Sequence, residues 1–198
     1  YGVFICDVMG HGIRAALIVS MLRGLIVTQN AKGRSAAEFL NAMNVGLTSI
    51  LQRANVTMFA TAFYGIIDLE ALTLEYACAG HPGPVAVGEG KSLQLCIDKS
   101  GKGPALGLIA NASYKSNRMG LEGIRRLLLF TDGVLEAENE AGEQFLDSRL
   151  LVIAGRNSEK PLDGWLDGIL DTVLDFSQGH HFDDDVCLLG IEILADGE

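Results

Sequence analysis

Asp7-Val8-Met9-Gly10-His11-Gly12 is the stretch of this 198-residue sequence that constrains the fold most. It follows an apolar, strand-like run over residues 1–6 and precedes a long apolar run from Ile13 that predicts a helix. An acid at the end of a strand, followed by glycines, brings a carboxylate and bare backbone carbonyls to one edge of a sheet. Such an edge suits a hard cation such as Mg²⁺ or Mn²⁺, which prefers oxygen ligands.

The overall composition is that of a globular protein with one sizeable core, because 48% of residues are hydrophobic and 20% are charged. Acidic residues outnumber basic residues 25 to 15, and the net charge is −10. Because this charge repels nucleic acid and anionic membrane surfaces, we exclude both as partners. The apolar run 13–27 is interrupted by Arg14 and Arg23 and is too short to predict insertion into a membrane.

The cysteines are dispersed along the chain and form no CxxC pair, which argues against a disulfide framework or a zinc site. They are Cys6, Cys78, Cys96 and Cys187. Free thiols indicate a reducing compartment, and we therefore expect the protein to be cytoplasmic. The sequence starts at Tyr1 in the middle of a strand. We therefore expect residues 1–198 to be a single domain and an N-terminally truncated fragment of a longer protein.

The predicted helices and strands are grouped rather than strictly alternating, which favours an α+β fold with largely antiparallel sheets. Helices are predicted over residues 11–30, 35–53, 147–154 and 162–177, and strands over 1–7, 57–68, 73–79, 85–87, 92–97, 113–119, 125–131 and 186–194. The first helix is apolar nearly all round, which predicts burial on most sides. Strands 113–119 and 125–131 are predicted to pair with each other.

Acidic residues occur at three strand ends. Asp7 ends the first strand, Asp132-Gly133 ends a buried strand, and Asp183-Asp184-Asp185 precedes the last strand. These acids can meet at one edge if the last strand runs antiparallel to the others. Taken singly, Asp132-Gly133 is more typical of a turn, and Asp183-Asp184-Asp185 is more typical of a solvated loop. Clustered carboxylates repel one another unless cations lie between them, so their joint occurrence predicts a site for two divalent ions.

These residues and several further motifs resemble, in order, the SpoIIE/RsbU-type branch of the PP2C-like (PPM) metal-dependent serine/threonine protein phosphatases. The further motifs are Ala15-Ala16-Leu17, Thr61-Ala62-Phe63-Tyr64-Gly65, Ala79-Gly80-His81-Pro82, Gly103-Pro104-Ala105-Leu106-Gly107, Phe130-Thr131-Asp132-Gly133-Val134-Leu135-Glu136-Ala137 and Asp184-Asp185-Val186-Cys187-Leu188-Leu189. The resemblance spans residues 1–193. Each motif is weak alone, and the ordered set is specific.

The resemblance implies a PP2C-like αββα sandwich of two mainly antiparallel sheets flanked by helices, with one or more N-terminal strands missing. It also implies two Mn²⁺ or Mg²⁺ ions. Asp7 would bridge both ions and the backbone carbonyl of Val8 would help to hold one of them. Asp132 and Asp184 would bind the other ion, and Asp185 would lie just outside the ligand set.

The histidines have several possible roles. His11 is a candidate proton donor for the leaving serine oxygen, since imidazole transfers protons near neutral pH. Its spacing from Asp7 differs from that in the eukaryotic enzymes, and we therefore expect His11 to pack at the start of the helix. His81, beside Pro82, is expected to have a structural role.

The function implied by the resemblance is hydrolysis of phosphoserine or phosphothreonine on an anti-anti-sigma-type regulatory protein that controls a sigma factor. An upstream sensor or receiver domain is expected in the full-length protein. The unpaired edge of the first strand also allows a homodimer.

Two alternatives remain open. The family normally carries one more metal-binding aspartate upstream, in a Gly-Asp context, and this sequence lacks it. The domain could therefore be a catalytically weak or inactive phosphatase-fold module that binds a regulator or a sigma factor. A different two-metal hydrolase, such as a nuclease, is disfavoured by the charge of −10 and by the lack of basic patches.

Overall fold

The computed structural model describes residues 1–28, 33–88, 91–94, 102–156, 158–178, 182 and 184–194. In this part of the chain the strands are β1 Gly2–Val8, β2 Ala60–Asp68, β3 Thr73–Ala79, β4 Val85–Gly88, β5 Lys91–Gln94, β6 Lys102–Gly103, β7 Asn117–Gly120, β8 Arg126–Phe130 and β9 Leu188–Glu192. The helices are α1 Ile13–Thr28, α2 Ala36–Ala54, α3 Leu146–Gly155 and α4 Leu162–Phe176. The chain divides into unit 1, which is Tyr1–His81 with Cys96–Gly120, and unit 2, which is Pro82–Leu95 with Leu121–Glu198.

Unit 1 contains a five-stranded sheet in the order β1-β2-β3-β6, with β7 also paired to β3. Its pairs are antiparallel except for the short parallel pair between β3 and β6. The core lies between this sheet and α2, where Phe39 stacks on Tyr64 with ring centroids 4.1 Å apart. Helix α2 begins at a capping box, in which Ser35 and Glu38 satisfy each other's backbone amides.

The prediction that the first helix is buried on most sides is wrong. Only Ile18 and Leu22 of α1 are buried, whereas Ile13 and Val27 are each more than four-fifths exposed. Helix α1 packs through one face onto the unit 1 core, so its remaining apolar residues face solvent. Apolar composition predicted a helix correctly but did not predict how many of its faces are covered.

Unit 2 contains a four-stranded antiparallel sheet in the order β5-β4-β8-β9. All five residues of β8 are buried, and residues 127–130 of the strand form a continuous apolar run. Helices α3 and α4 cover a core around Trp165. The guanidinium of Arg126 is bound to Glu192, its cross-strand neighbour, at 2.6 Å, and lies 5.2 Å from the Trp165 ring centroid.

The predicted pair between strands 113–119 and 125–131 is wrong. Strand β7 pairs with β3 in unit 1, whereas β8 pairs with β4 and β9 in unit 2. The main-chain bond from Ile124 to Leu121 closes a tight turn between the two strands, but the chain changes sheet there. Adjacency in sequence therefore did not give adjacency in the sheet.

Two other expectations concern cysteines and membranes. Cys78 is disulfide-bonded, so the expectation of free cysteines is wrong at this position, whereas Cys6 and Cys187 are free. Across the described ranges, every helix is too short or too polar to span a bilayer.

Replacing Asn44 by Ala is expected to lower the free energy of unfolding by about 3 kcal/mol. Asn44 is fully buried, and its Nδ2 donates to the carbonyl of Ile109 at 2.9 Å while its Oδ1 accepts from the amide of Gly107 at 2.9 Å. The substitution leaves these loop groups unsatisfied. Urea-induced unfolding followed by circular dichroism measures the loss.

The control for Asn44 is Thr48→Val on the same helix. The Thr48 hydroxyl is buried and makes no hydrogen bond within the described structure, so its loss should leave stability unchanged or slightly increased. An equal loss in both variants would contradict the role assigned to the Asn44 bonds.

Candidate metal centre

Asp7 lies at the end of β1 in unit 1, opposite Thr61 of β2. The chain then turns sharply, with Gly10 and Gly12 at φ angles of 79° and 78° that L-residues rarely adopt. The amide of Ala16 donates to the carbonyl of Gly12 at 3.0 Å, which starts α1. The glycines of the motif therefore serve the turn that follows Asp7.

The thiol beside Asp7 does not supply a ligand. Burial, followed by the charge of Asp7, raises the pKa of Cys6 to about 11. The thiol therefore stays protonated at neutral pH, and a protonated thiol is a poor metal ligand. This leaves oxygen as the ligand chemistry of this strand end.

Asp132 and Asp184 come together in unit 2. Asp132 opens a short 3₁₀ turn, Asp132–Val134, one residue after the end of β8, and its carbonyl accepts from the amide of Leu135 at 2.7 Å. The carboxylates of Asp132 and Asp184 have oxygens within 4.8 Å of each other. The prediction that β8 and the segment before β9 bring acids to one edge is thus confirmed for this pair, because β8 and β9 run antiparallel.

The carboxylate of Asp132 has an unusual environment. Its Oδ1 is buried and makes no hydrogen bond to any residue that the structure describes. A buried carboxylate oxygen without a donor is costly unless a cation neutralises it. This unsatisfied oxygen and the all-oxygen donor pair fit Mg²⁺ or Mn²⁺.

The carboxyl group of Glu136 is affected by the negative charges of this site. Its pKa is raised, first by desolvation and then by the charges of Asp132 and Asp184. The sequence analysis did not identify Glu136 as part of this environment. Glu136 follows Asp132 by four residues, a spacing that brings two side chains together only where the chain turns. The sequence alone did not show the 3₁₀ turn at this point.

The absence of a side chain at Gly133 allows residues 184–185, called the acidic segment below, to approach the 3₁₀ turn. A Cβ atom at this position would lie 2.7 Å from the carbonyl oxygen of Asp185 and 3.1 Å from that of Asp184. A side chain here would therefore push the acidic segment away from Asp132. The Asp-Gly pair was predicted as a turn signal, and the structure adds this close backbone contact.

The other candidate residues are placed as follows. Asp185 is exposed, and its amide donates to Oδ1 of Asp184 at 2.8 Å, so it contacts Asp184 through its main chain. His11 is exposed, which contradicts the expectation that it packs at the start of the helix. His81 is fully buried and shares a hydrogen bond of 2.8 Å with Thr61, in agreement with the expected structural role. Asp183 lies outside the described residues.

Comparison with known proteins identifies relatives of the whole chain. The family model described as "Stage II sporulation protein E (SpoIIE)" matches residues 1–194. Phosphoserine phosphatase RsbP of Bacillus subtilis (strain 168) is 27% identical over 194 residues, which are 98% of this chain and 46% of RsbP. Phosphoserine phosphatase RsbU of the same organism is 32% identical over 139 residues, 70% of this chain and 40% of RsbU. The chain thus spans less than half the length of these curated relatives.

Solved structures show the same fold. The SiaA-PP2C domain of Pseudomonas aeruginosa matches with a TM-score of 0.84 at 22% identity, over 98% of this chain and 76% of that one. The PP2C phosphatase domain of SpoIIE from Bacillus subtilis, solved with a fragment of its regulatory domain, matches with a TM-score of 0.77 at 19% identity, over 98% of this chain and 54% of that one. The predicted α+β, PP2C-like fold with two mainly antiparallel sheets is therefore confirmed. PP2C-type phosphatases are metal-dependent.

Proposed function

Because the chain belongs to the stage II sporulation protein E (SpoIIE) family, as its ordered motifs predicted, we propose that it is a metal-dependent protein phosphatase. Its substrate is a phosphoserine or phosphothreonine on a regulatory protein. The observation that supports this most directly is the buried, unsatisfied Oδ1 of Asp132 beside the carboxylate of Asp184. A divalent cation bound by the two carboxylates would neutralise their charge and satisfy the buried oxygen.

In this proposal the ligands for two Mn²⁺ or Mg²⁺ ions are Asp7, the carbonyl of Val8, Asp132 and Asp184. Bound ions would activate a water molecule and neutralise charge on the phosphoryl group. Bound ions would also offset the repulsion between a phosphate dianion and a chain of net charge −10. The three aspartates are the residues we expect to be essential for catalysis.

Two further residues have smaller roles in the proposal. Asp185 lies against the ligand pair, and its amide fixes the Asp184 carboxylate. His11 is exposed after the turn that follows Asp7, where its imidazole is free to give a proton to the leaving serine oxygen.

The wider role in this proposal is signalling. The substrate is an anti-anti-sigma-type regulator, and the site of action is the cytoplasm. RsbP and RsbU carry the name phosphoserine phosphatase, and a solved structure from Mycobacterium tuberculosis contains the RsbU and RsbW domains of Rv1364c. These names support a substrate within a partner-switching system. A sensor or receiver domain elsewhere in the full-length protein and a homodimer belong to the same proposal.

The test is hydrolysis of a phosphoserine peptide and of p-nitrophenyl phosphate by the purified full-length protein. We expect activity with Mn²⁺, its loss in excess EDTA and its recovery when Mn²⁺ is restored. Titration calorimetry with Mn²⁺ alone gives a second readout that does not depend on a substrate. Binding of Mn²⁺ without turnover would favour the non-catalytic binding module, and absence of both would refute the metal assignment.

A further inference from the structure

The acidic segment that carries Asp184 lies beyond the regular ladder between β8 and β9. The last residue pair of that ladder is Phe130 with Leu188. One more main-chain bond follows, from the amide of Thr131 to the carbonyl of Cys187 at 3.2 Å. Something other than the sheet must therefore fix the position of Asp184 relative to Asp132.

The side chain of Thr131 provides this connection. Its Oγ1 donates to the carbonyl of Asp185 at 2.9 Å and accepts from the amide of Cys187 at 2.9 Å. One hydroxyl thus occupies the place of a main-chain donor and acceptor and extends the pairing by one step. Thr131 is only 5% exposed, so water does not readily replace these bonds.

Thr131 also connects Asp132 to residues 185–187, the segment that follows Asp184. It directly precedes Asp132 in the chain, and its hydroxyl binds the residues on both sides of Val186. Gly133, on the other side of Asp132, leaves room for the carbonyls of Asp184 and Asp185. The hydrogen bonds of the Thr131 hydroxyl and the absence of a side chain at Gly133 both act on residues 184–185.

We propose that Thr131 is a positioning residue, whose hydroxyl fixes the segment carrying Asp184 against Asp132 and so sets the geometry of the metal ligands. The proposal rests on the proposed function for its effect on metal binding. The two hydrogen bonds of the Thr131 hydroxyl also predict protection of the Cys187 amide from exchange, which can be measured without metal. Thr131 touches neither substrate nor the reacting atoms in this role.

The test compares Thr131→Val, which keeps the shape and removes the hydroxyl, with Thr131→Ser, which keeps the hydroxyl. We expect the valine variant to bind Mn²⁺ about 10- to 100-fold more weakly by calorimetry, as is typical when a group that orients a metal ligand is lost. The serine variant should stay within about threefold of wild type because both hydrogen bonds remain possible. Thr172→Val is the control, since its hydroxyl bonds within α4 on an exposed face.

A second readout separates this proposal from the proposed function. Hydrogen exchange of the Cys187 amide, followed by nuclear magnetic resonance in EDTA, should be about tenfold faster in Thr131→Val than in wild type or Thr131→Ser. Unchanged exchange in the valine variant would overturn the positioning role. So would an equal loss of Mn²⁺ affinity in the valine and serine variants, because the serine variant keeps the hydroxyl and its loss could not then be assigned to that group. If wild type neither binds Mn²⁺ nor hydrolyses phosphoserine, the proposed function fails and the exchange result still decides the role of Thr131.

Discussion

Asp132→Asn is expected to lower phosphatase activity with Mn²⁺ by about a thousandfold, because loss of a ligand removes several kcal/mol of transition-state stabilisation. The same variant should unfold at a slightly higher temperature in EDTA. It removes one negative charge from a group that also includes Asp184 and Glu136, and the Glu136 pKa already reflects this crowding. The measurements are kcat/KM with p-nitrophenyl phosphate and a thermal unfolding curve without metal.

Asp171→Asn is the matched control for Asp132. Asp171 is exposed on α4, and we expect activity within about twofold of wild type and little change in melting temperature. An Asp132→Asn enzyme that retains wild-type activity would refute the assignment of this carboxylate. A large fall in its melting temperature in EDTA would instead show that Asp132 has a mainly structural role.

Trp165→Ala is expected to lower the free energy of unfolding by about 4 kcal/mol, the largest stability effect that we anticipate. Trp165 is 1% exposed within the unit 2 core. The substitution creates a large cavity, deprives the carbonyl of Ala154 of its donor at 3.0 Å and removes the ring that lies against Arg126. Urea-induced unfolding followed by circular dichroism is the suitable measurement, since this is the one tryptophan of the chain.

Trp165→Phe separates the contributions to this loss. Phenylalanine fills part of the space and retains an aromatic face for Arg126, but it cannot donate to Ala154. We expect about half the loss of the alanine variant. A phenylalanine variant as unstable as the alanine variant would show that the indole hydrogen bond, and not packing, dominates.

Sequence periodicity predicted the order of the longer elements well. The runs that became β2, β3 and α4 have the composition and apolar spacing of their structures, and Ser35 marks the start of α2. Pairing was less predictable, because the partner of a strand is chosen by distant residues. The four-residue strand β7 illustrates this, since it joins β3 and not the strand that follows it in the chain.

The candidate site shows a similar division. The acids Asp132 and Asp184 were predicted from strand ends, because that pattern is local to each strand. The role of Thr131 was missed because a threonine at the end of a β-strand is common, and only the structure shows what its hydroxyl bonds. The unsatisfied oxygen of Asp132 was likewise not predictable, since burial of a single atom depends on residues far away in sequence.

The place of β1 in its sheet has a kinetic consequence. Within the described strands, β1 pairs only with β2, and both helices of unit 1 lie between the two strands in the chain. The pairing therefore closes a long loop whose entropy must be overcome before any ladder bond forms. Non-local contacts of this kind slow folding. Asp7 consequently acquires its native surroundings through a slow, non-local step, whereas Asp132 begins a turn whose hydrogen bonds are local.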